Sequence, residues 1–107
     1  MRRRPQSCAW CGSPVPDAGS GRRRRYCRQS CRQRAYEQRA ALRGTTVPED
    51  ATILTADEAT AVADRAFQVR AGCEDVLTAL REGASHSELE QMCVDLVERA
   101  AEAERLR

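Results

Sequence analysis

The sequence contains no lysine, one histidine and only four aromatic residues in 107 positions. So few large side chains exclude a thick hydrophobic core and favour a structure held by a bound metal and by helix packing. All positive charge is carried by arginine, which a GC-rich coding sequence favours, so the absence of lysine carries little functional weight. The single histidine, His86, lies between two serines in a predicted turn. We interpret it as an exposed residue without a metal or catalytic role.

The sequence also lacks a long hydrophobic run. No stretch is apolar enough to cross a membrane, and the basic residues 2–4 are not followed by the apolar segment of a secretion signal. We therefore expect a cytoplasmic protein without membrane contact. Because that compartment is reducing, clustered cysteines there usually bind a metal ion rather than form disulfides.

The formal net charge of +2 hides a strong asymmetry along the chain. Residues 1–47 contain twelve arginines and two acidic residues, whereas residues 48–107 contain six arginines and fourteen acidic residues. Two modules of opposite charge are indicated, and the basic one predicts a polyanionic partner. The predicted organisation is a flexible basic tail over 1–7, a zinc finger with a basic helix over 8–43, a linker over 44–54 and an acidic helical hairpin over 55–107.

Four of the six cysteines are spaced as metal ligands. Cys8, Cys11, Cys27 and Cys31 form a C-x2-C pair, a gap of fifteen residues and a C-x3-C pair. Four thiolates suit one tetrahedral structural Zn²⁺, and Gly12 allows the backbone to turn back after the first pair. Two disulfides and an iron–sulfur cluster are the alternatives that the spacing leaves open.

The second cysteine pair runs directly into a string of good helix formers. A basic helix is predicted from about Ser30 to Arg43, with Cys31 in its first turn and Gly44 as its stop. The preceding segment 12–21 is turn-rich, and 22–26 is expected to form a short strand. A knuckle, a hairpin and a helix that supplies the last ligands describe a treble clef. The predicted fold class is therefore a small zinc-stabilised treble-clef finger followed by an all-α antiparallel helical hairpin.

The finger resembles known small bacterial zinc proteins. The ligand spacing and the aromatic residue followed by Cys-x3-Cys-Arg, which ends at Arg32, are similar to the zinc proteins that inhibit DNA gyrase. Residues 21–36 also resemble short arginine-rich treble-clef fingers of actinobacterial proteins that are presumed to bind DNA. The resemblance covers about a third of the chain. Ala9 stands where the gyrase inhibitors usually have proline, and the segment after Pro48 has no identified counterpart in them.

Arginines surround the second cysteine pair. On a helix Arg32, Arg39 and Arg43 share one face, beside the arginine run 22–25. Such a surface matches the negative backbone of DNA, with RNA as the second choice, although a solvated face or pairing with the acidic half is the alternative interpretation. Trp10, Tyr26 and Tyr36 are expected to pack against the zinc core rather than stack on bases. The predicted nucleic-acid contacts are Arg22, Arg23, Arg24, Arg25, Arg28, Arg32, Arg34 and Arg39.

The acidic half has the pattern of two helices. Thr55 to Glu58 fits a capping box, Gly83 is a predicted stop, and two overlapping boxes begin at Ser85 and Ser87. The heptad positions of the first helix, as in a coiled coil, are predicted to be Ala59, Val62, Ala66, Val69, Cys73, Val76 and Leu80. Those of the second are Leu89, Cys93, Leu96, Ala100 and Ala103. Cys73 and Cys93 are therefore expected to be buried structural thiols, with a disulfide or redox switch as the alternative.

These features favour a non-enzymatic zinc-finger protein that binds DNA and has a regulatory role, for instance in transcription. The helical half over residues 55–107 is expected to form a homodimer or to recruit a protein partner. The first alternative is an adaptor whose finger docks on a topoisomerase or on the transcription machinery without nucleic-acid contact. An enzyme is disfavoured because residues 8–43 contain no histidine and only two carboxylates. A thiol-based redox sensor that releases zinc is a further alternative.

Overall fold

A computed structural model describes residues 2–16, 21 and 23–107. Its helices are α1 (Gln29–Leu42), α2 (Ala56–Arg81) and α3 (His86–Ala103). The described ranges contain no strand, only an isolated antiparallel bridge between Ser7 and Pro14. In these ranges, no helix combines the length and the apolar character needed to span a bilayer.

The chain divides into two compact units. The first consists of Met1–Thr55 together with Leu106–Arg107, and the second is Ala56–Arg105. The segment 44–54, predicted as a linker, belongs to the first unit. There the side-chain amide of Gln38 donates to the Ala51 carbonyl at 3.2 Å, and the Arg107 guanidinium donates to the Ile53 carbonyl at 3.1 Å.

In the first unit, α1 forms where the sequence predicts a basic helix. It begins at Gln29, so Cys31 lies in its first turn, and it ends just before Gly44, which has φ +78°. A positive φ is readily adopted only by glycine, which explains why the helix stops there. Its buried residues are Cys31 and Ala35, and both face the cysteine cluster side of the unit.

The strand expected over residues 22–26 is wrong for its described part, residues 23–26. This segment is irregular. It is held by single hydrogen bonds: the Ala9 amide donates to the Arg25 carbonyl at 2.8 Å, and the Gln6 side-chain amide donates to the Arg24 carbonyl at 2.9 Å. Because no ladder of paired hydrogen bonds forms, the segment returns toward Cys27 without strand geometry.

The second unit is an antiparallel pair of helices. α2 begins directly after Thr55, at the predicted position, and ends at Arg81. Gly83 follows with φ +75°, its amide donates to Leu80 and the Ala84 amide donates to Ala79. This pair of bonds is a Schellman motif, which closes the end of a helix. Of the two overlapping capping boxes, the first is used, since the Ser85 hydroxyl accepts from the Glu88 amide at 3.2 Å.

The contact between α2 and α3 is centred on Gly72. This glycine is the one buried residue in 56–105, a range that the structure describes throughout, and a Cβ there would lie 2.9 Å from Leu96 Cδ1. The predicted heptad positions of α2 are therefore rotated relative to the observed contact, in which Gly72 takes the place expected for Cys73. The sequence pattern gave glycine no packing role, although its missing side chain is what lets the helices approach.

The prediction that Cys73 and Cys93 are buried is wrong for the same reason. Both thiols are exposed and neither forms a disulfide. Leu80, also assigned to the interface by its heptad position, is 57% exposed. The apolar arc of α2 is wider than a single neighbouring helix covers, so periodicity alone did not identify the side that α3 occupies.

Replacing Gly72 by leucine tests the close approach of the helices. Leucine favours a helix more than glycine does, but its side chain would overlap Leu96 and Arg99. Overpacking should therefore lower the free energy of unfolding by about 1–3 kcal/mol, measured by urea unfolding followed by circular dichroism. Ala63→Leu on the exposed side of α2 is the control and should change stability by less than about 0.5 kcal/mol. An equally stable or more stable Gly72→Leu variant would contradict the contact.

Candidate metal centre and arginine surface

The first cysteine pair forms a tight turn. The Gly12 amide donates to the Cys8 carbonyl at 2.9 Å, and the Cys8 amide donates to the Ser13 carbonyl at 2.7 Å. Gly12 has φ +81°, a value that side-chain-bearing residues rarely adopt. The turn aims both sulfurs inward, and Cys8 and Cys11 are buried.

The four predicted ligands converge. The sulfurs of Cys8, Cys11, Cys27 and Cys31 all lie within 4.8 Å of one another. The Cys11–Cys27 and Cys27–Cys31 sulfur distances are 3.6 and 3.7 Å. A disulfide requires about 2.05 Å. Four thiolates at 2.3 Å from a central ion in a tetrahedron are separated by about 3.8 Å, so this donor set fits one tetrahedral metal ion.

The electrostatics of the thiols are compatible with a bound cation. Burial opposes ionisation of Cys11, but hydrogen bonds from the side chain and backbone of Ser13 lower its pKa to about 6. Burial and hydrogen bonds with Cys27 and Cys11 raise the pKa of Cys31 to about 12. Several thiolates in one place repel one another, so they do not all ionise together without a positive ion between them. A bound divalent cation removes that conflict.

Burial likewise opposes ionisation of Cys8, but backbone hydrogen bonds from Cys11 and Cys27 lower the pKa of its thiol. Arg28 lies beside the same group. A hydrogen bond to the Cys27 sulfur, together with the charges of Cys27 and Cys31, raises the pKa of the Arg28 guanidinium. Four thiolates around one divalent ion carry a net charge of −2, and Arg28 partly balances it. Arg28 thus has a local electrostatic role besides the predicted one.

A small apolar cluster surrounds the sulfurs. Val15 is buried with the cysteines, and Trp10 and Tyr26 pack against them. This confirms the expected packing role for those two aromatic residues. The expectation is wrong for Tyr36, which is 52% exposed. Tyr36 lies one residue after the buried Ala35 on α1, so its side chain points away from the cluster.

Arginines line a cavity of about 320 Å³ beside the second cysteine pair. We call this the arginine cavity. Its lining contains no acidic residue within the described part of the chain, and Arg23, Arg25 and Arg32 are exposed. Positive charges that converge around a solvent-filled space provide several donors for one anion. The lining residues are Arg23, Arg24, Arg25, Tyr26, Arg28, Gln29 and Arg32.

The other predicted contact residues are placed differently. Arg24 lines the cavity but also donates to the Cys27 carbonyl at 3.3 Å. Arg39 is half-buried and donates to the Tyr26 hydroxyl at 3.1 Å, which holds its side chain at that hydroxyl. Arg34 is exposed on α1 and does not line the cavity. Arg22 lies outside the described residues.

Sequence reasoning missed two residues of the first unit. The Leu106 amide donates to the carbonyl of the ligand Cys11 at 2.7 Å. The Arg107 guanidinium lies 3.6 Å from the centre of the Trp10 ring, within cation–π distance. No sequence signal points to these contacts, because the partners are about a hundred residues apart and neither residue belongs to a motif.

Loss of one ligand should abolish tetrahedral metal binding. We expect Co²⁺, titrated into the reduced full-length chain, to give the visible absorption of a tetrahedral thiolate site at one ion per chain. Cys31→Ser should lose this absorption. The matched control is Cys93→Ser, which removes an exposed thiol and should leave the spectrum and stoichiometry unchanged. Equal loss in both variants, or no absorption in the parent chain, would contradict the site.

Comparison with known proteins adds no further assignment: no family model, no curated protein and no solved structure matches the chain.

Proposed function

We propose that this chain is a non-enzymatic zinc protein that binds DNA through its arginine surface and has a regulatory role. In this proposal the second unit dimerises or recruits a protein partner. The arginine cavity beside the cysteine cluster is the observation that carries the proposal, because it places five guanidinium groups around one space with no acidic residue among its described lining.

Zinc is the metal we assign to the four cysteines. Tetrahedral sites of four thiolates hold zinc or iron. The sulfurs are close enough to share a single ion, whereas a multi-iron cluster places several metal atoms between its ligands and spreads them further apart. A closed site with four protein ligands has no open position for substrate, which favours a structural rather than a catalytic role.

A treble clef is the fold we assign to the finger. The knuckle at Cys8 to Gly12 and the position of Cys31 in the first turn of α1 support it. The β-hairpin that completes a treble clef has no counterpart among the described residues beyond the single Ser7–Pro14 bridge. The assignment therefore rests on the knuckle, on the helix and on the ligands they supply.

DNA is the polyanion we assign to the arginines. Guanidinium groups bind phosphate oxygens in a bidentate manner, and a rigid metal centre holds them at fixed spacing. Arg23, Arg25 and Arg32 are exposed around the cavity and are the strongest candidates for phosphate contact. Arg28 and Arg39 have internal partners, which position them at the edge of the surface.

Salt titration tests this mode of binding. We expect the affinity of the full-length chain for duplex DNA, measured by fluorescence anisotropy, to fall steeply as salt rises, because phosphate contacts release counterions. Replacing Arg23, Arg25 and Arg32 by glutamine should weaken binding and reduce the slope of log K against log salt by about 0.9 for each lost contact.

The control replaces Arg99, an exposed arginine of α3, by glutamine. This variant should keep the parent affinity and slope. If the triple variant bound DNA as the parent does, the arginine surface would not be the binding site. If the parent showed no salt-dependent binding at all, an adaptor that contacts protein instead of nucleic acid would be favoured.

The metal centre should be required for binding. Cys27→Ser removes a ligand shared by two short sulfur contacts, so we expect it to unfold the finger and abolish DNA binding. Cys73→Ser removes an exposed thiol of α2 and should bind as the parent does. Parent-like binding by Cys27→Ser would show that the arginines act without the fold that zinc provides.

A further inference from the structure

The second unit does not form a core of its own. Within residues 56–105, all of which are described, only Gly72 is buried. Large apolar side chains on both helices remain exposed, among them Leu77 at 46%, Leu80 at 57% and Val97 at 69%. Two helices that bury so little side-chain surface need a further apolar surface to be stable.

Leu77, Leu80 and Val97 lie on one side of the hairpin. The direction from α2 toward α3 is given by Gly72, and that from α3 toward α2 by Leu96. At about 100° per residue, Cys73, Leu77 and Leu80 lie about 80–140° from that direction on α2. Cys93 and Val97 lie about 60–100° from it on α3, in the same rotational sense. Because the helices are antiparallel, the same sense of rotation points both sets to the same side.

We call this the apolar face, with members Val62, Ala66, Cys73, Leu77, Leu80, Cys93, Val97 and Ala101. The opposite side of the hairpin is polar apart from Phe67, which is 53% exposed. A cavity of about 470 Å³ there is lined by Arg65, Gln68, Asp95, Glu98, Arg99 and Glu102. The hairpin therefore has one surface suited to water and one suited to another protein.

The charges of the apolar face are divided between its two helices. Arg70 and Arg81 lie beside the α2 part of the face together with one acidic residue, Glu74, whereas Glu90 and Glu104 lie at the two ends of its α3 part. In the structure Arg70 is paired with Glu74, and Glu90 faces His86, both at 3.7 Å on exposed side chains. Exposed pairs of this kind contribute little, so they leave these side chains available to other partners.

Along the helix axes, these arginines of α2 and glutamates of α3 lie at similar heights. The Gly72 position lies beside Leu96 and Arg99, and Arg65 donates to the Arg105 carbonyl. These contacts place Arg81 of α2 level with Glu90 of α3. They place Arg70 level with Ala100, about one turn from Glu104. If α2 of one copy packed on α3 of another at the same levels, each arginine would face a glutamate.

We propose that the occupant of the apolar face is a second copy of this chain. The two hairpins are related by a two-fold axis parallel to the helices, and α2 of each packs on α3 of the other in a four-helix bundle. The interface is isologous, since the same surface serves both copies. The inference deepens the proposed function by committing the second unit to self-association, and it rests on that function only for the role of the dimer.

The size of the face suits this arrangement. The eighteen residues of α3 extend about 27 Å. Two helices side by side are about 20 Å wide, so the face covers about 500 Å² in projection and more in accessible surface. A standard interface buries about 800 Å² for each partner, which is the same scale.

Both copies of residue 56 lie at one end of the bundle, so the dimer tethers two fingers there and raises their effective concentration on one DNA.

Oligomeric state measured without nucleic acid tests the proposal. Sedimentation equilibrium of the full-length, zinc-loaded chain across the micromolar range should give twice the chain mass of 11.9 kDa. Leu77→Glu places a charge within the apolar face and should weaken the dimer at least about a hundredfold. The matched control is Thr78→Glu, which adds the same charge one residue later on the polar side and should leave the dimer intact.

Charge reversal tests the pairing between helices. Arg81→Glu should weaken the dimer about tenfold, and the double variant Arg81→Glu with Glu90→Arg should restore it. If Leu77→Glu loses its helical circular dichroism, the Arg81 and Glu90 variants still test whether the dimer uses this face.

A monomer at every concentration would overturn the proposal in favour of a different protein on this face, and higher oligomers would overturn the closed two-fold arrangement. A dimer that Leu77→Glu leaves intact would overturn the assignment of the face. DNA binding by a monomer would overturn the dimer alone and leave the arginine surface standing.

Discussion

The convergence of four cysteine sulfurs is the constraint on which the first unit depends. Few of its other apolar side chains are large. Those that pack do so against the sulfurs, namely Trp10, Tyr26 and Val15. The same constraint sets the local charge. Because four thiolates exceed the charge of one divalent ion, the centre attracts guanidinium groups such as Arg28. The cysteine cluster therefore provides the packing centre of a basic segment with few other buried residues and places Arg28 beside its sulfurs.

The remaining arginines are distributed unevenly around this centre. Among the described residues, those that line the arginine cavity include no acidic one, whereas Arg39 is fixed on the hydroxyl of Tyr26. The distinction matters because a residue counted as basic in the sequence is either a free donor for an anion or a structural contact. This distinction reduces the predicted nucleic-acid contacts to a smaller group of exposed arginines, all of which line the arginine cavity.

The second unit depends on a different constraint, the close approach of two helices at Gly72. Since the glycine has no side chain, the helices approach closely there, and Leu77, Leu80 and Val97 remain exposed on one outer face. A helix pair of this kind is exposed to water where it is most apolar. Its division of charge between α2 and α3 then gives the outer face a self-complementary pattern, which connects the local packing of one hairpin to the assembly we propose.

The sequence by itself was sufficient to predict the three helices and the four cysteines that come together. The spacing of the cysteines and the glycines at positions 12 and 44 act through local backbone geometry. Such local effects can be predicted from the sequence without knowledge of the tertiary structure. Tertiary structure alone decided which side of α2 meets α3, because several rotations of a wide apolar arc satisfy the same periodicity. For that reason Cys73 and Cys93 were expected inside and are exposed. Tertiary structure also decided the contacts of Leu106 and Arg107 with Cys11 and Trp10, since contacts between distant residues leave no local pattern.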